Sequence, residues 1–348
     1  MTSVGPPGGP VAPRLDMPTR RDPTASLPRE AYFEVTNRCN LLCETCPRTH
    51  FELEPPADLS YERMVEIGDQ LPVLERMVLH GVGEPLLNRD LPRMIAYGVG
   101  RGARVVFNTN GVLLDERRGD AVTAAGLDDL RVSFDAATPE TYRRIRGADV
   151  LPRIVRNVAA FTARRARRGE RAPEVTIWAT AVRENLEELP ALVRLAGELG
   201  VAGVNLQRLV FNGIGLAVAE QSVYRDLSAR QDELLAECRA VAAEVGITIT
   251  GSGGTDGEGA LIGDDAPGAW LSCRRPWRVL YVTAHGTVLP CCIAPFTTTD
   301  TGQLSLGNVI RQGVAGVWNG APMRDFRTRH QSDDPPAPCA PCGSEWSL

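Results

Sequence analysis

The sequence predicts an α/β protein, with six β/α units building a parallel sheet and a small cysteine-rich α+β domain after it. Three observations carry this. Strand-like apolar runs alternate with amphipathic helical stretches from about residue 30 to 250. A tight group of cysteines, Cys39, Cys43 and Cys46, directly follows the first run. From residue 270 the texture changes to short β-like segments carrying Cys273, Cys291, Cys339 and Cys342.

Residues 1–29 are dense in proline and glycine (Pro6, Pro7, Gly8, Gly9, Pro10, Pro13) and are expected to be disordered. Strands are expected at 31–36, 76–82, 104–108, 130–135, 174–182 and 203–209, and helices at 60–71, 91–101, 150–168 and 186–199. Such a series winds either as a partial barrel or as an open doubly wound sheet, with the active site in the loops that leave the strands' C-terminal ends. A helix over 223–245 closes this 30–250 unit, and the glycine-rich stretch 251–269 reads as a connector or lid. In the last domain, 270–348, strands 278–283 and 287–290 flank His285-Gly286 as a hairpin, and a helix over 321–330 leads into a proline-rich tail.

Composition excludes several classes. A net charge of −5 over 348 residues gives no footprint for nucleic acid, and the run Arg164, Arg165, Arg167, Arg168 reads as a solvated helix end. All 38 basic residues are arginine, so a lysine Schiff base and a P-loop lysine are both impossible. No signal-peptide h-region and no membrane-length apolar run is present, which points to the cytoplasm and away from membranes. In a reducing compartment nine cysteines in close groups read as metal ligands rather than disulfides.

Cys39-Asn-Leu-Leu-Cys43-Glu-Thr-Cys46 has the spacing C-x3-C-x2-C. Three thiolates on one compact loop can ligate three irons of a cubane cluster and leave the fourth open. Structural zinc needs four closed ligands, and His50 is the nearest fourth candidate. On this triplet, placed after the first strand of a β/α series, the chain resembles the radical S-adenosylmethionine (SAM) superfamily. The resemblance implies a partial (β/α)6 barrel, a [4Fe–4S] cluster whose open iron chelates SAM, and a 5′-deoxyadenosyl radical that takes hydrogen from a substrate. Gly81-Val82-Gly83-Glu84-Pro85 resembles the family's glycine-rich motif, which receives the methionine amino group. Asn108-Thr109-Asn110-Gly111 and Ser133-Phe134-Asp135 resemble segments that border the ribose and the methionine carboxylate, with Arg146 as a partner for that carboxylate. One position departs from the pattern: Thr45 stands where the family usually has an aromatic residue against the adenine.

Cys273, Cys291, Cys339 and Cys342 have the spacing C-x12-G-x4-C, then C-x2-C after a gap, with Gly286 as the glycine. This resembles the twitch domain, the short form of the SPASM extension, and implies a second, auxiliary [4Fe–4S] cluster. Zinc bound by four cysteines has the same ligand inventory. Cys291 and Cys292 can exchange roles; a free Cys292 is a candidate hydrogen-atom donor. Cys238 reads as a small buried hydrophobe in mid-helix.

A fully ligated auxiliary cluster has redox work as its simplest role. The resulting expectation is dehydrogenation of a small polar metabolite, an aminocyclitol, sugar or nucleoside of natural-product biosynthesis, with a flavodoxin- or ferredoxin-type electron donor. The alternatives are a ribosomal-peptide maturase and a radical epimerase or sulfur-transfer enzyme. The roughly 30 residues before the first strand are too few for a leader-binding domain unless that domain is a separate protein, which favours the metabolite. Asn205 and Gln207, on one face of the sixth strand, are candidate substrate contacts, and His80 is a candidate general base.

Overall fold

Strand and helix alternate from the first strand to the seventh in the computed structural model, which describes residues 21–51, 53–222, 228–251, 271, 273–297 and 301–340. In chain order the elements are β1 (Glu30–Phe33), α1 (Pro47–His50), α2 (Tyr61–Gly68), β2 (Arg76–Leu79), α3 (Leu91–Gly100), β3 (Arg104–Thr109), α4 (Glu116–Ala124), β4 (Asp129–Ser133), α5 (Pro139–Arg146), α6 (Leu151–Arg168), β5 (Glu174–Ala181), α7 (Leu189–Glu198), β6 (Gly203–Arg208), α8 (Ser228–Val245) and β7 (Thr248–Gly251). The C-terminal part adds α9 (Arg275–Arg278), β8 (Val279–Val282), β9 (Val288–Leu289), α10 (Val309–Trp318) and α11 (Ala321–His330).

The nine strands among the described residues join one sheet in the order β7-β6-β5-β4-β3-β2-β1-β8-β9. Every pair is parallel except β8 with β9. The expected partial barrel is present, and it is larger than six units because β7 follows α8 and pairs with β6. The C-terminal hairpin is not a separate layer. Tyr281 aligns with Tyr32 and Val282 with Phe33, and Glu34 N–H donates to the Val282 carbonyl at 2.8 Å. Without β8, strand β1 would be an edge with an unpaired row of N–H and C=O groups.

Alternation sorts the sheet's two faces. Ala31, Phe33, Met77, Leu79, Val105, Phe107, Leu130, Val132, Val175 and Ile177 are buried and pack with apolar side chains of the helices in one core. The residues between them, Tyr32, His80, Asn108, Arg131, Ser133, Trp178, Asn205 and Gln207 among others, line the opposite face, the barrel lumen.

Several further elements differ from the expectation, among them α4 and α10, which it lacks, α5 and the N-terminal segment. α5 is absent from the expectation too, although Thr138 caps the helix at Thr141 N, Pro139 opens it and Gly147 closes it in the left-handed region. The N-terminal segment, expected to be disordered to residue 29, is tied down from Arg21. Trp277 Nε1 donates to the Asp22 carbonyl at 2.9 Å and Trp318 Nε1 to that of Ser26 at 2.8 Å. Fully buried Arg327 donates to the carbonyls of Pro276 (2.8 Å), Trp318 (2.8 Å) and Pro23 (3.0 Å). The glycine-rich stretch expected as a connector lies almost wholly outside the described residues.

Candidate active site

The first cysteine loop is held from within and from two neighbouring loops. Cys46 N–H donates to the Cys43 carbonyl at 3.0 Å, and the Thr49 hydroxyl donates to the same carbonyl at 2.8 Å. Glu44 N–H donates to Ile145 O at 2.9 Å, and Glu44 O accepts from Leu216 N at 2.9 Å. Gly147, at φ +71°, lies against the Leu42 carbonyl, and a Cβ there would collide with it. Arg146 Nη1 and Asn110 Nδ2 each stand 3.8 Å from a sulfur, that of Cys43 and that of Cys39 respectively.

Burial pushes the Cys46 thiol up to about 12, and burial also raises that of Cys39. Iron ligation must therefore displace protons, and the two donors facing the sulfurs suit the resulting thiolates. The donor set fits a cluster.

The glycine motif lies between this loop and β3. A Cβ on Gly83 would strike the Thr36 carbonyl, so only glycine permits this approach. Glu84 is buried, and its carboxylate accepts from Asn110 N (2.7 Å), the Thr109 hydroxyl (2.8 Å) and Leu86 N (3.1 Å), while burial raises its pKa. The Thr109 hydroxyl and the Glu84 carboxylate thus brace two site loops against one another. Asn110 Nδ2 also reaches Asn40 Oδ1 at 2.9 Å.

Asp135 is fully buried; Oδ1 accepts from Thr180 N at 2.8 Å, and Oδ2 lies 2.5 Å from Arg146 Nε. Burial would lower the Arg146 pKa, but Asp135, the Cys43 sulfur and Tyr142 together hold it well above its usual range. Arg146 joins the strand-β4 segment to the cysteine loop. Ser133 is half-buried on the lumen face.

Deeper in the lumen, burial and the nearby Arg131 push His80 down to about 4. It stays neutral at pH 7 and is a weak base there, which counts against the general-base role expected of it. Asn205 donates to Thr250 Oγ1 at 2.8 Å, and Gln207 is half-buried on the same strand face. Sequence reasoning missed Arg131, Trp178 and Glu34. Burial pushes Glu34 up to about 7, against hydrogen bonds from Val82 N (2.9 Å) and Ala284 N (3.2 Å). The signal available for all three was a polar or amphipathic residue at the inward phase of a strand.

In the C-terminal part, Cys291 and Cys292 pack beside Tyr32 against a small cluster of Tyr281, Leu289, Ala294 and Leu304. The charges of Cys292, Cys291 and Cys273 raise the pKa of Arg275 despite its burial. A guanidinium facing three sulfurs complements thiolate ligands, so this donor set also fits an iron–sulfur centre. Both adjacent cysteines interact with Arg275 and Cys291 with Cys292; Cys291 also has Cys273 in its surroundings, and Cys292 also has Tyr32 and Arg76. Cys238 is buried in α8, as expected for a small hydrophobe. Cys342 lies outside the described residues.

A parallel partial barrel with a three-cysteine loop after its first strand, and a second cysteine set beside the lumen, defines an iron–sulfur radical enzyme. A family model of the radical SAM superfamily matches residues 33–196, and one of an iron–sulfur cluster-binding domain, SPASM, matches residues 273–343. The chain belongs to the radical SAM superfamily and carries a C-terminal SPASM domain, with SAM, a [4Fe–4S] cluster and auxiliary iron–sulfur as its cofactors.

The PqqA peptide cyclase of Gluconobacter oxydans is 31% identical over 323 residues, 91% of this chain and 83% of that protein. That of Granulibacter bethesdensis is 28% identical over 327 residues, 92% and 80% of the two chains. The crystal structure of Streptococcus suis SuiB bound to precursor peptide SuiA superposes with a TM-score of 0.63 at 16% identity, covering 86% of this chain and 66% of that one. At that identity SuiB speaks for the fold.

The cyclases overturn the expected small-metabolite dehydrogenase, and the small-molecule substrate goes with it. The expectation rested on an auxiliary cluster as electron acceptor, and that argument concerns electron flow without constraining substrate size. No helix among the described residues is long and apolar enough to cross a membrane.

Proposed function

We propose that this protein is a radical SAM maturase that modifies a ribosomally made peptide. The observation that carries this reading is the 31% identity to a peptide cyclase along 83% of that enzyme's length, spanning both cysteine sets. Hydrogen-bonding side chains on the lumen face, Asn108, Asn205 and Gln207 beside Val78 and Val106, support it, because a peptide offers amide and side-chain partners.

In this reading Cys39, Cys43 and Cys46 hold the SAM-binding cluster, and Cys273, Cys291, Cys339 and Cys342 hold the auxiliary one. When bound, SAM and its cluster supply a carbon-centred radical able to take hydrogen from an unactivated C–H bond. The chain's own residues hold that chemistry in place. Gly81 and Gly83 let the backbone approach the methionine end of SAM, and Asn110 and Ser133 border its ribose side. Glu84 locks two of these loops together, and the Asp135–Arg146 pair fixes a third to the cysteine loop. Asn205 and Gln207 face the substrate. Arg275 offsets the negative charge of the auxiliary thiolates, and Cys292 stands between that site and the lumen. A flavodoxin- or ferredoxin-type protein of the cytoplasm supplies the electron.

The test uses anaerobically reconstituted enzyme with SAM, reductant and synthetic versions of short peptides encoded beside its gene. A peptide product two hydrogen atoms lighter, formed together with 5′-deoxyadenosine, is the expected result. Deoxyadenosine formation that responds to no such peptide, yet rises with sugars or aminocyclitols, would sink the reading.

A further inference from the structure

The lumen holds an arginine that forms no ion pair among the described residues, although Asp129 and Tyr32 lie near enough to offset part of its charge penalty. Arg131 lies in the middle of β4, on the face it shares with Ser133, with its guanidinium 4.0 Å from the centre of the Trp178 ring. No described carboxylate pairs with it. Asp129, two residues earlier on the same face, gives both oxygens to Arg104, at 2.7 and 2.9 Å. Glu30 pairs with Arg278 at 2.9 Å and Arg76 at 3.9 Å. Glu34 accepts from Val82 N and Ala284 N.

Two further groups beside Arg131 have hydrogen-bonding capacity to spare. Asn108 aligns with Arg131 across β3 and β4, and Leu79 with Phe107, so His80, Asn108 and Arg131 stand side by side on three neighbouring strands. His80 Nδ1 and Asn108 Oδ1 are buried without any hydrogen-bond partner. Buried polar atoms are nearly always satisfied, and two orphans flanking an unpaired cation mark a place where a ligand completes the set.

We propose that Arg131, flanked by His80 and Asn108 and backed by Trp178, receives the carboxylate of an aspartate or glutamate side chain of the substrate. This rests on the peptide reading above and specifies one residue of that peptide. The charge argument selects an anion: burial, then the neighbouring Arg76, holds Arg131 down to about 10, and a bound carboxylate reverses that penalty. Stacking on Trp178 occupies the guanidinium face and leaves its N–H edge for a planar, two-oxygen partner. Trp178 Nε1 is engaged by Thr176 Oγ1 at 3.0 Å, which fixes the stacking surface. His80, neutral at pH 7, can donate or accept without adding a second positive charge.

The test is calorimetric binding to the reconstituted holoenzyme with SAM present, using acetyl-Ala-Glu-Ala-amide, its glutamine counterpart and glutarate as probes. Wild type is expected to bind the glutamate peptide about tenfold more tightly than the glutamine peptide. In Arg131→Gln that preference should fall to within about twofold while SAM affinity is unchanged. The same variant should melt no lower than wild type, since a purely structural arginine would cost stability on removal and an uncompensated one would not. Equal binding of the two peptides to wild type, no measurable binding of the glutamate peptide, or a preference that survives in Arg131→Gln would overturn the subsite. Glutarate bound as tightly as the glutamate peptide, and weakened in Arg131→Gln, would retain the anion site and remove the peptide reading.

Discussion

Cys39, Cys43 and Cys46 sit on one loop between β1 and α1, whereas Cys273, Cys291 and Cys339 come from the entry to α9, the exit of β9 and the tail beyond α11. The first group is tied by bonds inside the loop and by close contacts with the turns at Gly147 and Leu216. The second depends on long-range scaffolding: β8 pairs with β1, Arg21 Nη1 donates to the Cys273 carbonyl at 2.9 Å, and Arg327 gathers three distant carbonyls. A site local in sequence carries its geometry with it. A site assembled from distant segments inherits its geometry from the fold, and should be the first to suffer when the fold loosens.

The largest expected effect separates the two groups outright. Alanine at Cys39, Cys43 and Cys46 together should abolish 5′-deoxyadenosine formation and remove about half of roughly eight irons per chain. Alanine at Cys273, Cys291 and Cys339 should remove the other half and leave dithionite-driven SAM cleavage measurable. Equal loss of cleavage in both variants would erase the distinction.

Glu34 joins the two regions, because its carboxylate accepts from Val82 N of the glycine motif and from Ala284 N of the C-terminal hairpin. Its pKa is raised from 4.5 to about 7, chiefly by burial. Below pH 4.5 the group is neutral in both the folded and the unfolded chain. As pH rises to about 7 the unfolded chain releases this proton first, and the folded state loses about 3 kcal/mol relative to it. Chemical denaturation of wild type and Glu34→Gln across this range should show their stability difference shifting by that amount in favour of the variant. A constant difference would show that Glu34 ionises freely.

Gly147→Ala sharpens the comparison on the local side. It puts a side chain at φ +71° and against the Leu42 carbonyl, at a cost of about 2 kcal/mol. Iron should be lost from the first site and kept at the second, as read by metal analysis of variants lacking one cysteine set. The smallest effect is reserved for Cys238, buried in α8 away from both groups. Its replacement by alanine should cost about 1 kcal/mol in thermal unfolding and leave the iron content unchanged.

Legibility in the sequence followed the same division. The cysteine triplet, the glycine motif and the β/α alternation were readable because each is set by neighbours a few residues apart. α5 is equally local, with Thr138-Pro139 at its start and Gly147 at its end, but its apolar face is too short to stand out in the sequence. The partners of Arg146 were not readable: a buried arginine and a surface one look alike until Asp135 and Cys43 are placed around it.

By itself the sequence determined the cofactor class, since three thiols at C-x3-C-x2-C after a strand need only one turn of chain to become a chelate. It also determined the sheet's composition, because the period of two in strands and the apolar faces of helices are properties of single segments. The tertiary structure alone decided that the C-terminal hairpin extends the barrel's sheet and that Arg21–Arg29 strap that region down. It alone brought His80, Asn108 and Arg131 side by side in the lumen. The physical reason is that pairing, burial and desolvation depend on which distant segments meet, and no window of sequence contains both partners.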